Sequence, residues 1–116
     1  MTLGEHQRIF AYNVANLIFW THEQGWEVTG GEWYRPEEMA KIYAERGIGI
    51  ADSLHTMKLA IDLNLFINGK YQTESDAYQP MGEYWKTLHP NNRWGGSFKK
   101  QDGNHFEMQF QPRRAL

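Results

Sequence analysis

The stretch S-L-H-T-M-K-L-A-I-D-L, residues 53–63, sets a histidine and an aspartate, His55 and Asp62, beside and within a run of alternating apolar residues. Ionisable groups in that setting are usually paired or bound to a cation, because burying a lone charge is costly. A second alternating run begins at His105, where Phe106, Met108 and Phe110 alternate with His105, Glu107 and Gln109. If the two runs are neighbouring strands, their apolar sides share a core, and Asp62, His105 and Glu107 share the other face. Asp62 and His105 then stand at cross-strand distance. A fully extended run from His55 to Asp62 would span roughly 23 Å. For His55 to join the other two, the chain must double back around residues 56–58. Two imidazoles, one carboxylate and an open fourth position make a catalytic kind of zinc site, where water is acidified toward neutral pH. Asp102 precedes His105 by three residues, in D-G-N-H, and can reach such a water as a base. Glu107 can orient a ligand from behind. Polar residues also stand on sheet faces without any metal, and spacing alone leaves both readings open.

The elements that must place these residues are legible from periodicity and breakers. Residues 4–24 read as an amphipathic helix with Phe10, Val14, Leu17 and Ile18 on one stripe, ended by Gly25. Residues 26–35 read as a short strand, or an interrupted pair, around Gly30-Gly31. Pro36 suits a first helical position; Glu37 and Glu38 follow, and the helix buries Met39, Ile42 and Tyr43 before stopping at Gly47. A loop over 47–54 leads to a strand over 58–67. Asn68-Gly69 then signals a two-residue hairpin returning through 70–73. Ser75 or Asp76 caps a helix running to Leu88, with Tyr78, Met81 and Trp85 inward. Residues 93–104 read as a loop, 105–110 as the last strand, and 111–116 as a frayed tail. This order predicts an α+β fold, with helices packed on one face of a small antiparallel sheet.

Composition narrows the partners. A chain of 116 residues, 41% hydrophobic and 22% charged, fits one globular domain over 1–116. Its formal charge of −2 offers no basic face to nucleic acid. Cysteine is absent, which excludes disulfides and thiolate ligands and leaves His, Asp and Glu to hold any metal. The start, M-T-L-G-E-H-Q-R, lacks the basic and apolar regions of a signal peptide, and no stretch reaches membrane-span length. Cytoplasmic synthesis without membrane insertion is therefore expected.

The motif S-L-H-T-M-K-L-A-I-D resembles the S-x-H-x-x-G-x-A-x-D signature of the zinc D-Ala-D-Ala carboxypeptidase and L-alanyl-D-glutamate endopeptidase family, matched at Ser53, His55, Ala60 and Asp62. Asp102 and His105 match its second signature, an acidic residue, two spacers and a histidine. W-G-G at 94–96, the H-x-E ending at Glu107, and Y-R-P-E-E at 34–38 extend the likeness over residues 26–110, the catalytic core that follows an N-terminal helix over 1–25. The resemblance implies a hedgehog/DD-peptidase-like fold and a Zn2+ ion held by His55, Asp62 and His105. It implies Asp102 as general base, and Arg35 as oxyanion stabiliser or holder of a substrate carboxylate. Ser53 would bind substrate and Glu107 would support His105; Trp94 fits a substrate-binding cleft wall and a core position equally. The substrate implied is the peptide stem of peptidoglycan. A phage or prophage endolysin is the expected setting: a monomer, released to the cell wall by a holin, cutting between L-Ala and D-Glu. D-Ala-D-Ala carboxypeptidase action is the alternative, and a non-catalytic binding domain for the cell wall or a phage structure is the contrasting class. Lys58 stands where the family has glycine, in the segment required to reverse.

Overall fold

Alternation along two strands organises the sheet. Strand β2, Ala60–Ile67, sends Ile61, Leu63 and Leu65 into the core, while Asp62 and Asn64 stay partly accessible on the other side. It pairs antiparallel with β1 (Glu27–Gly30), β3 (Lys70–Tyr71) and β5 (His105–Met108), and β5 pairs in turn with β4 (Asn92–Trp94). The order is β1-β2-β5-β4, with β3 beside the far end of β2. The register sets Asp62 opposite His105 and Ala60 opposite Glu107, the adjacency that alternation called for. This computed structural model describes residues 1–49 and 53–110. The expected tail over 111–116 and the centre of the expected loop over 47–54 lie outside the described residues.

Two helices cover the apolar face. Helix α1 (Leu3–Glu23) starts at a capping box between Thr2 and Glu5 and buries Phe10, Val14, Leu17 and Thr21. Helix α3 (Gln79–Thr87) buries Met81 and Trp85. The Trp85 ring meets Phe10 and Phe106 edge-on, with centroids 5.5 and 6.0 Å apart, locking α1, α3 and β5 together. Its Nε1–H is shared between the Arg93 and Glu107 carbonyls, each 3.1 Å away. The core thus grips the backbone of the two strands that carry the polar face.

Several boundaries differ from the sequence reading. Helix α2 (Glu37–Glu45) begins after Pro36, which acts as the flanking cap and not the first helical residue. Ala40 is its fully buried residue, while Met39, Ile42 and Tyr43 are half-buried. None of these belongs to the main core cluster. The helix expected to begin at Ser75 or Asp76 opens as a 3-10 turn, Ser75–Tyr78, before α3. The expected loop over 93–104 starts inside β4, where Arg93 pairs in register with Glu107. An Asn-Arg-Trp strand carries no apolar alternation to announce it. All four residues of β5 are buried, since it is flanked by β2 and β4.

Candidate active site

The reversal needed to bring His55 to Asp62 is made by one 3-10 turn, Leu54–Met57, closed by Lys58 in the left-handed region at φ 58° and ψ 36°. Ser53 caps its start, accepting the His55 N–H at 3.1 Å on Oγ. The Leu59 N–H returns to the Leu54 carbonyl at 3.0 Å. Lys58 therefore occupies the conformation that glycine adopts without strain. Its Nζ lies 5.2 Å from the centre of the Tyr34 ring, a cation–π contact that offsets part of that cost.

His55, Asp62 and His105 come together at the end of the turn and across the β2–β5 pair, with one potential ligand atom from each lying within 4.8 Å of the others. His55 and His105 are 3% and 8% exposed. The outer nitrogens of both rings are already committed. His55 Nδ1 lies 3.1 Å from the Trp33 carbonyl, which can only accept, so in the neutral ring Nδ1 carries the hydrogen and Nε2 presents a lone pair. That lone pair faces Asp62 Oδ1 at 3.5 Å. His105 Nε2 lies 2.8 Å from Glu107 Oε1, leaving Nδ1 facing Asp62 Oδ1 at 3.2 Å. Two ring nitrogens and a carboxylate converge with acceptors toward one point, an arrangement that a cation relieves. A carboxylate or carbonyl behind each ring is the support that metal-binding imidazoles need. The donor set fits a divalent metal.

Charge in the cluster follows the same geometry. Burial pushes the Asp62 carboxyl up, but the hydrogen bond from His105, aided by the neighbouring His55 ring, outweighs it and holds the pKa at about 2. Burial pushes His105 down, but its bonds to Asp62 and Glu107 prevail and raise it to about 9. Glu107 is itself lowered, its desolvation overcome by hydrogen bonds from His105 and Arg93. Without metal, a proton on His105 does part of the work a cation would do.

The cluster opens into a cleft of about 840 Å³, and Arg35, Ser53, Arg93 and Asp102 also line it. Asp102 is exposed, and its backbone is fixed: its N–H donates to the Gly95 carbonyl at 2.9 Å and its carbonyl accepts from His105 at 3.1 Å. A side chain at Gly95 would bring a Cβ within 2.1 Å of the Asp102 carbonyl oxygen, so this close approach requires glycine. Arg35 donates through Nε to Glu32 at 2.9 Å and stacks over Tyr43, 5.1 Å from the ring centre. Its backbone N–H also holds the His55 carbonyl at 3.1 Å.

Of the two places open to Trp94, cleft wall and core, the structure shows the core. It is 6% exposed in the core, its Nε1 donates 2.7 Å to the Gly103 carbonyl, and it is not part of the cleft lining. The W-G-G sequence packs that ring against Gly82 and Gly96 instead of presenting it to a ligand. Two residues escaped the sequence reading. Arg93 holds Glu107 by Nε at 2.9 Å, and Glu32 holds Arg35. The first pairing is signalled only by strand register; the second had a faint local cue in its three-residue spacing.

A family profile described as D-alanyl-D-alanine carboxypeptidase matches residues 46–108, more than half of the chain. Among solved structures, the L-Ala D-Glu endopeptidase ChiX of Serratia marcescens superposes with a TM-score of 0.63 at 22% sequence identity, covering 73% of this chain and 68% of that one. At that identity the likeness speaks for the fold. A search of curated proteins found no match for the sequence.

Proposed function

This chain belongs to the D-alanyl-D-alanine carboxypeptidase family and is a peptidase; we propose that it is a zinc enzyme hydrolysing peptide stems of peptidoglycan between L-Ala and D-Glu. The observation that carries the reading is the convergence of His55, Asp62 and His105 at the floor of a cleft whose rim holds Asp102. The donor chemistry favours zinc, since two imidazoles disfavour calcium and magnesium. Zinc held there supplies Lewis acidity for a peptide carbonyl and lowers the pKa of a water toward neutrality.

The chain's own residues do the rest. Asp102 takes the proton of the attacking water and passes it to the leaving amine, so one carboxylate serves as base and then acid. Arg35, held in place by Glu32 and Tyr43, stabilises the charge that gathers on the carbonyl oxygen or holds a substrate carboxylate. Ser53 meets the substrate backbone at the cleft wall while its capping bond keeps His55 in place. Glu107 fixes the orientation of His105, and Arg93 fixes Glu107. The choice of bond is supported by the fold shared with an L-Ala D-Glu endopeptidase; the family's own description names D-Ala-D-Ala carboxypeptidase as the alternative.

Digestion of purified peptidoglycan with the zinc-loaded protein, read by mass spectrometry, separates the possibilities. New D-Glu amino termini are expected. Release of terminal D-Ala alone would move the reading to a carboxypeptidase. Wall binding without new termini, unchanged in Asp102→Ala, would make the chain a binding domain. The proposed setting is phage lysis, with a holin admitting the protein to the wall: lysis of permeabilised cells but not of intact ones is the expected result.

A further inference from the structure

The turn that carries Asp102 carries more than a base. Lys99 and Lys100 lie three and two residues before it, and both line the same cleft as the His55–Asp62–His105 cluster. Adjacent lysines in a loop are ordinarily no more than a solvated feature; here they stand in the lining of the cleft. The other cations of the cleft are neutralised, Arg35 by Glu32 and Arg93 by Glu107. Neither lysine takes part in any ion pair among the described residues, and both are exposed. Among the described residues they are the uncompensated positive charge of the cleft.

Their position relative to Asp102 is fixed. The Phe98 and Asp102 N–H groups both reach the Gly95 carbonyl, at 3.1 and 2.9 Å, closing the turn at its base. Gln101 Nε2 reaches the Gly96 carbonyl at 3.3 Å, and the Gly103 N–H donates to Ser75 Oγ at 3.0 Å. The Phe98 ring packs 5.9 Å from that of His105. The turn is therefore pinned on both sides of the lysines. A group held by them is held in register with the carboxylate that protonates the leaving amine.

We infer that Lys99 and Lys100 form a carboxylate-recognition subsite, selecting substrates whose leaving residue bears a free carboxylate. The inference rests on the peptidase reading above and names the substrate class within it. In either candidate reaction the residue that departs through its amine, D-Glu or D-Ala, carries a carboxylate. Among the described residues, the lysines are the cations of the cleft without a carboxylate partner, and they stand in the same turn as Asp102.

The test uses two synthetic stem peptides, identical except that the leaving residue carries a free α-carboxylate in one and a carboxamide in the other. At low ionic strength the parent should prefer the acid by about tenfold in kcat/KM, the scale of two exposed charge contacts. The double variant Lys99→Gln/Lys100→Gln should bring that preference close to unity while leaving cleavage of the amide unchanged. Calorimetric binding of the leaving fragment, as acid and as amide, reads the same contact without turnover. Cleavage of both peptides at equal rates, or full preference retained in the double variant, overturns the inference and leaves the peptidase reading standing. Tighter binding of the acid fragment without cleavage of either peptide supports the subsite and overturns the peptidase reading. Failure to discriminate in both assays overturns the inference.

Discussion

At the scale of single residues, each imidazole of the cluster is anchored by one nitrogen so that the other faces Asp62. Removing an anchor should therefore act on the metal before it acts on the fold. Glu107→Gln keeps a hydrogen-bond acceptor near His105 but removes the charge that also holds Arg93, and metal affinity should fall about 10–100-fold. Competition titration with a chromophoric chelator measures this. Asp102→Asn should abolish hydrolysis with metal content unchanged, which separates base from ligand. The pH dependence has a definite sign. His105 is raised to about 9 in the metal-free chain, so its ion pairs stabilise the fold fully below its ordinary value near 6.5. That contribution is lost as pH rises through 9. Asp62, lowered to about 2, contributes above its ordinary value near 3.8 and loses the contribution as pH falls toward 2. Metal must displace the His105 proton, so affinity should rise about tenfold per pH unit below 9 and level off above it. Calorimetry in buffers of different ionisation enthalpy counts the released proton. The three clustering residues were legible in sequence because alternation gives a face and the motif gives a role. Arg93 and Glu32 were not, because a charge that positions another charge through strand register or a local turn has no pattern of its own.

At the scale of elements, the reversal between His55 and β2 depends on Lys58 in the left-handed region. Lys58→Gly relieves backbone strain of about 1–2 kcal/mol but loses the contact with Tyr34, worth about 0.5–1 kcal/mol. A net change under about 1 kcal/mol, neutral or stabilising, is expected by urea denaturation. Lys58→Val places a β-branched residue at positive φ and should both destabilise the fold and weaken metal binding, since His55 moves with the turn. Sequence required this reversal from the length of the segment alone, and the lysine conceals it only because glycine is the usual sign. Strand β4 stayed hidden for a different reason. Its three residues obtain their pairing from β5, and short strands defined by a neighbour lack internal periodicity.

At the scale of the whole molecule, the apolar face of one sheet is closed by α1 and α3 while its other face carries the cluster. The core therefore fixes the site from beneath. Trp94 belongs to that core, so Trp94→Ala should cost about 3–5 kcal/mol in denaturant unfolding. A cleft-wall residue would instead raise KM with little loss of stability. The W-G-G motif was legible as a feature of the family but not as to its direction, because the ring's fate depends on Gly82 in α3 and Gly96 in the following turn. The α+β layering and the cross-strand meeting of Asp62 with His105 were legible, since period-2 alternation fixes both faces at once. The claim on which the account stands is that this meeting point holds zinc. Native mass spectrometry of the folded chain with zinc present tests it most directly. One zinc per chain is predicted in the parent and none in His55→Ala; a correctly folded parent that takes up no zinc would contradict the account.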